Sequence, residues 1–194
     1  MRNSTRYVLW LIGVLIIIII LVLIFASITK PKSTSNTPTV TSPSSLSSYA
    51  DTDAVVTYTV QGVIQGNEQY RAITIIVSKT ARTVQVMQGF QGQILKSQTT
   101  PNNPQAFKQF LAAIQTEGFL SVRKNPPVSN IEGQCPLGNR YVASSSNIPN
   151  VPNNLWSTTC GSKQGTWAGN VTSVGRLFNL QIPNYSQFVS DVAL

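Results

Sequence analysis

An α+β domain carried on a membrane-spanning stem is the architecture that the residues of this 194-residue chain imply. Three observations lead there. Tyr7 to Ala26 form an apolar run broken only by Gly13, Val56 to Thr99 alternate apolar and polar residues, and Phe107, Phe110, Leu111 and Ile114 repeat at helical spacing.

The apolar run comes first. Twenty helical residues span about 30 Å, the thickness of a bilayer's hydrocarbon core. Sixteen of the eighteen residues from Val8 to Phe25 are Leu, Ile, Val or Phe, and none is charged. Such a segment gains roughly 5 to 9 kcal/mol on insertion. The β-branched run Ile16 to Ile20 would favour a strand in water. In lipid, a lone spanning segment satisfies its own backbone only as a helix. Cleaved secretory signals have shorter apolar cores, about 7 to 15 residues, ending in small residues at the cut site. A cut after Ala26 would put Ile24 at the third position back, so the pattern favours an uncleaved signal anchor over residues 7–27. Arg2 and Arg6 on one side nearly balance Lys30 and Lys32 on the other, so charge barely sets orientation. The six-residue flank 1–6 has nothing to fold, and both cysteines lie C-terminal to the anchor. The expectation is a cell-membrane protein with a cytoplasmic N-terminus and an extracytoplasmic domain.

Residues 28–52 turn abruptly to Ser, Thr and Pro, a composition that cannot bury enough surface to offset its ordering entropy, and they read as a tether. Residues 53–194 are enough for one folded domain. The formal charge of +8 shrinks once the four bases flanking the anchor are set aside, leaving ten basic against six acidic residues. Apart from Arg123 and Lys124 those bases are scattered, which disfavours a nucleic-acid partner.

Within the domain, Val56, Tyr58 and Val60 share one face of a first strand, and Ile73, Ile75 and Val77 one face of a second. Val84 and Val86 mark a third, and Gln93 to Thr99 a fourth. Short links through Gly66–Asn67, Lys79–Thr80 and Gly89–Gly92 make neighbours antiparallel, giving a four-stranded meander. A helix follows, with Asn103 as N-cap, Pro104 at its first position and Gly118 just past its end; its apolar stripe is laid over the sheet. Asn125 to Gly169 are dense in Pro, Gly, Asn and Ser and read mostly as loop, with short extended pieces near Tyr141 to Ala143 and Leu155 to Thr159. Cys135 and Cys160, the chain's only cysteines, are spaced for one disulfide stapling this loop region; two separate buried thiols are the competing arrangement. Two short helices finish the chain, one carrying Val174, Leu177 and Phe178, the other Tyr185, Phe188, Val189 and Val192.

Several segments carry a resemblance: Thr57-Tyr58-Thr59-Val60, Gly89-Phe90-Gln91-Gly92, Cys135-Pro136-Leu137-Gly138-Asn139-Arg140-Tyr141, Leu155-Trp156-Ser157-Thr158-Thr159-Cys160 and Gln181-Ile182-Pro183-Asn184-Tyr185. The chain resembles small single-pass membrane-anchored extracytoplasmic proteins of unknown function from ultra-small, host-dependent bacteria of the candidate phyla. The resemblance implies a bacterial cell envelope and brings no biochemical role.

No reaction is spelled out. The chain has no histidine, which removes Ser-His-Asp and Cys-His nucleophiles and histidine-based metal sites; no catalytic, metal or cofactor set is expected. An envelope hydrolase using two carboxylates, with Glu132 in the loop region, is one alternative. Ser121-Val122-Arg123-Lys124 matches S-x-x-K, but Asn125, Pro126 and Pro127 forbid the helix that motif needs. A pilin-like subunit is a further alternative, weakened by the Pro-rich tether, which would interrupt a continuous filament helix. The sequons Asn170-Val171-Thr172 and Asn184-Tyr185-Ser186 are weak matches in an Asn- and Thr-rich chain. What is left is a binding or structural module meeting an envelope polymer or protein. Its candidate contacts are Arg140, Tyr141, Trp156 and Trp167 around the cysteines, with the tryptophans as core filling the plainer reading.

Overall fold

The alternation in the first half of the domain becomes an antiparallel sheet whose most buried strand is its second. β1 (Val55–Gln61) pairs with β2 (Arg71–Ser78), which pairs with β3 (Ala81–Gln88), which pairs with β4 (Gln93–Pro101), all antiparallel. The computed structural model describes residues 45–161 and 165–194, all within one compact unit of the chain. The expected stem over residues 7–27, its flank and most of the tether lie outside the described residues. Among the described residues no helix is long and apolar enough to cross a membrane.

The sheet has six strands, not four. β5 (Arg140–Ser146) and β6 (Asn154–Thr158) add to the free side of β1, giving the order β4-β3-β2-β1-β5-β6. The meander is therefore correct as far as it goes, and the region read as mostly loop supplies two more strands. The reason lies in β5, where Ala143 is its buried apolar residue and Ser144, Ser145 and Ser146 carry no alternation. That strand exists because the backbone of β1 offers it an unbroken ladder from Val55↔Ser146 to Gln61↔Arg140.

α1 (Pro104–Thr116) forms as its caps require: Asn103 Oδ1 accepts from the Ala106 amide at 2.9 Å, and Pro104 sits in the first turn. Its buried Phe107, Phe110, Leu111 and Ile114 join Val56, Tyr58, Ile73, Ile75, Val77, Val84 and Val86 in one core. α2 (Val171–Asn179) adds Val174 and Phe178 to the same layer, and α3 (Tyr185–Phe188) closes it near β4, where Lys96 lies 5.0 Å from the Phe188 ring and pairs with Asp191. α2 can approach because residue 175 is glycine; a Cβ there would stand 2.6 Å from the Tyr58 hydroxyl. Asn170, the first residue of one sequon, is engaged as the N-cap of α2 through the Ser173 amide at 3.1 Å.

The domain also starts earlier than residue 53. Leu46 and Ala50 are each 1% exposed, a 3-10 turn spans Leu46–Tyr49, and the Leu46 amide donates to Gln115 Oε1 at 2.7 Å. A single leucine in a Ser/Thr/Pro background leaves no periodic signal, but its burial against α1 turns the end of the expected tether into part of the domain.

Tyr58 sits at the centre of this layer, stacked with Phe178 at 5.4 Å and Tyr141 at 6.3 Å. Burial, and then the neighbouring Tyr141 and Tyr185, raise its hydroxyl well above the ordinary 10.0. Burial also raises Tyr185. Above pH 10 the unfolded chain sheds tyrosyl protons that the folded chain keeps, so the unfolded state binds fewer protons and stability falls as pH rises. Unfolding free energies from denaturant titration should be level from pH 7 to 9 and fall above pH 10, by up to about 1.4 kcal/mol per pH unit for Tyr58 alone. Tyr58→Phe should flatten that decline; an unchanged slope in Tyr58→Phe would assign it elsewhere.

Candidate functional site

Strand parity divides the four candidate contacts. Adjacent residues of a strand point to opposite faces, so Arg140 and Tyr141 cannot share a surface. Tyr141 pairs with Val60 on the helix-covered face and stacks on Tyr58. Arg140 pairs with Gln61 on the other face, and Trp156, opposite Val142, is its diagonal neighbour there. Trp167 belongs to the core: it is 1% exposed, meets Tyr58 and Phe119 edge-on, and donates its indole N–H to the Gly118 carbonyl at 3.0 Å. Trp156 is buried too, its indole N–H bonded to the Ser129 carbonyl at 2.9 Å. Neither tryptophan is presented to a partner.

The disulfide Cys135–Cys160 is present, with Cα atoms 5.5 Å apart. It joins the segment entering β5 to the segment leaving β6. Two further bonds fix its neighbourhood: Thr159 N–H to the Asn139 carbonyl at 3.0 Å, and Ile64 N–H to the Pro136 carbonyl at 2.7 Å. The loop before Cys135 is thereby held over the open face of the sheet.

Under that loop lies a groove of about 570 Å³, within the size range of small-molecule sites. Its floor is the end of the open face, where Gln61, Ala72, Met87 and Arg140 stand in one row across β1, β2, β3 and β5. Ile131, Glu132 and Gly133 make one wall, Tyr70 and Phe90 the other. Phe90 is placed by a turn that needs left-handed backbone at Gly89 (φ 72°) and Gly92 (φ 71°). Asn67 Oδ1 accepts from the Phe90 amide at 2.9 Å, and the Phe90 ring lies on Tyr70 at 4.5 Å and 22°. The result is an aromatic shelf, with Phe90 59% exposed.

Arg140 sets the electrostatics. The residue is 5% exposed; its Nη2 donates to the Gly62 carbonyl at 2.7 Å and, at a longer 3.4 Å, to the Tyr70 hydroxyl, while the guanidinium carbon lies 5.7 Å from the Tyr70 ring centre. Its Nε has no hydrogen-bond partner. All six acids of the sequence lie among the described residues, yet the ion pairs there are Lys79–Asp53 and Lys96–Asp191, and none involves Arg140. A buried guanidinium stays charged and costs several kcal/mol to desolvate, of which one carbonyl, one long hydroxyl contact and one aromatic face return only part. Burial raises the Tyr70 hydroxyl, and the Arg140 charge opposes that rise. Glu132 is the one acid in the groove wall among the described residues; its carboxylate accepts from Asn130 Nδ2 at 3.1 Å and is exposed.

Chemically, this arrangement can hold an anion against Arg140 and a flat face against Phe90. It does not bring two carboxylates to the groove. Ser121 of the S-x-x-K match follows the end of α1, and Val122 bridges Trp167 rather than opening a helix. Tyr70 and Phe90 went unread as site residues because they lie on separate turns that Asn67 joins in space. The visible signal was the Gly-Phe-Gln-Gly turn, which places a large ring where chains normally put polar residues. Compared with family models, with curated proteins and with solved structures, the chain matches none.

Proposed function

We propose that this chain is a single-pass cell-envelope protein, N-terminus cytoplasmic, whose extracytoplasmic domain is a non-catalytic binding module working through the Arg140 groove. The apolar run at 7–27 and the resemblance to anchored envelope proteins support the placement. The observation that carries the binding role is Arg140 itself: a buried, permanently charged side chain without an acid partner, at the floor of a groove edged by an exposed ring. A purely structural module gains nothing from that desolvation cost, whereas a binding module recovers it when a ligand arrives. The carboxylate-pair hydrolase reading has less support, because the groove wall offers Glu132 alone.

A photo-crosslinking residue at position 90 in the full-length protein, irradiated in intact cells, should give discrete adducts. The same residue at Leu180, which is 68% exposed, should give none. Equal labelling from both positions, or none from either, would remove the groove as the working surface. A membrane-impermeant protease should digest the domain on unbroken cells.

A further inference from the structure

We propose that the groove recognises an acidic saccharide, with a sugar carboxylate held by Arg140 and a pyranose face laid on Phe90. This deepens the binding-module reading above and rests on it. A planar guanidinium suits a carboxylate because its N–H groups form a fork matching two oxygens, and Arg140 lines the groove with no acid paired with it. The charge is not free to leave. The Gly62 carbonyl holds Nη2, and the Tyr70 ring backs the guanidinium, so the anion must come to the arginine.

The second half of the ligand is read from Phe90. Its ring is fixed by Tyr70 behind it and by the Asn67 contact to its amide, so its outer face is a rigid, flat apolar surface. A pyranose presents such a face, with axial C–H groups on one side and hydroxyls round its rim. The groove between the shelf and Arg140 is lined by Thr59 and Gln61, which supply hydroxyl and amide groups for that rim. An acidic peptide would satisfy Arg140 as well, but its flexible side chains make no comparable use of a flat, immobile ring. Glu132 in the opposite wall acts as a gate on charge. It repels an entering carboxylate, and its exposure keeps the repulsion modest.

The test is calorimetric titration of the full-length protein in nanodiscs with oligogalacturonate, with its methyl-esterified form, and with a hexaglutamate peptide. The acid form should bind at least ten-fold tighter than the ester, and more weakly as salt is raised. Phe90→Ala and Arg140→Lys should each weaken binding at least ten-fold, whereas Glu132→Gln should tighten it about three-fold. Phe90 and Glu132 are exposed, so those two variants carry the decision should Arg140→Lys fail to fold. Equal affinity for acid and ester, or a Phe90→Ala variant that binds unchanged, would overturn the proposal. Hexaglutamate binding as tightly as oligogalacturonate would overturn the saccharide class. Adducts from position 90 in cells without any oligosaccharide binding would sink this inference and leave the binding module standing.

Discussion

Trp167→Ala should lower the stability of the domain by about 3 to 5 kcal/mol, a large share of the 5 to 15 kcal/mol that domains possess. The indole is 1% exposed and meets both Tyr58 of the sheet and Phe119 beyond α1, so its loss opens a cavity between layers that cannot collapse independently. The backbone on either side is equally committed. Trp167 N–H donates to the Trp156 carbonyl at 3.0 Å, and the Ala168 amide to the Ser121 carbonyl at 2.8 Å, tying the segment after β6 to the segment after α1. Gly169 lies so close to Gly118 that a Cβ there would stand 2.1 Å from the Gly118 oxygen.

Trp167→Phe separates volume from hydrogen bonding. The Gly118 carbonyl keeps the Ser121 amide at 2.9 Å as a donor, so losing the indole N–H leaves no orphaned acceptor. The phenylalanine variant should therefore cost only about 1 to 2 kcal/mol. Urea unfolding followed by circular dichroism on the full-length protein in detergent would measure both. An alanine variant within about 1 kcal/mol of the parent would place Trp167 outside the energetic centre of the core.

What could be read in advance follows from where the signal resides. β1 to β4 and α1 announce themselves because one face of each is buried, and burial writes a period into the residues. β6 is short, and β5 is serine-rich and held by its ladder to β1, a long-range partner that no local window contains. Leu46 is invisible for the same reason: its environment is Gln115 and α1, about seventy residues away. Of the site, Arg140 was readable as a residue of interest but not as a buried one, and its grouping with Tyr141 fails on strand parity alone. Tyr70 and Phe90 meet only because the β1–β2 connection and the β3–β4 turn share Asn67. Legibility thus tracks locality: repeats within an element can be read, and concave surfaces assembled from turns cannot.

The Cys135–Cys160 bond governs both the stability of this domain and the shape of its groove. It spans a sequence separation of 25, and in the chain-entropy treatment a loop of that size restricts the unfolded state by about 3 to 4 kcal/mol. Cys135→Ser with Cys160→Ser should therefore lower the melting temperature of the full-length protein by about 10 °C, and reductant should do the same to the parent but not to the double variant. A second effect is local. The segment carrying Ile131, Glu132 and Gly133 has few buried apolar anchors and runs directly into Cys135, itself 5% exposed. Without the bond, that wall depends on the Trp156–Ser129 and Ile64–Pro136 hydrogen bonds, each worth about 1 kcal/mol. Amide exchange should accelerate at residues 128–139 far more than in β2 or α1, even well below the melting point. Uniform acceleration across the domain would mean that the crosslink acts only through the unfolded chain; unchanged exchange at 128–139 would mean that the loop holds its place over the sheet unaided.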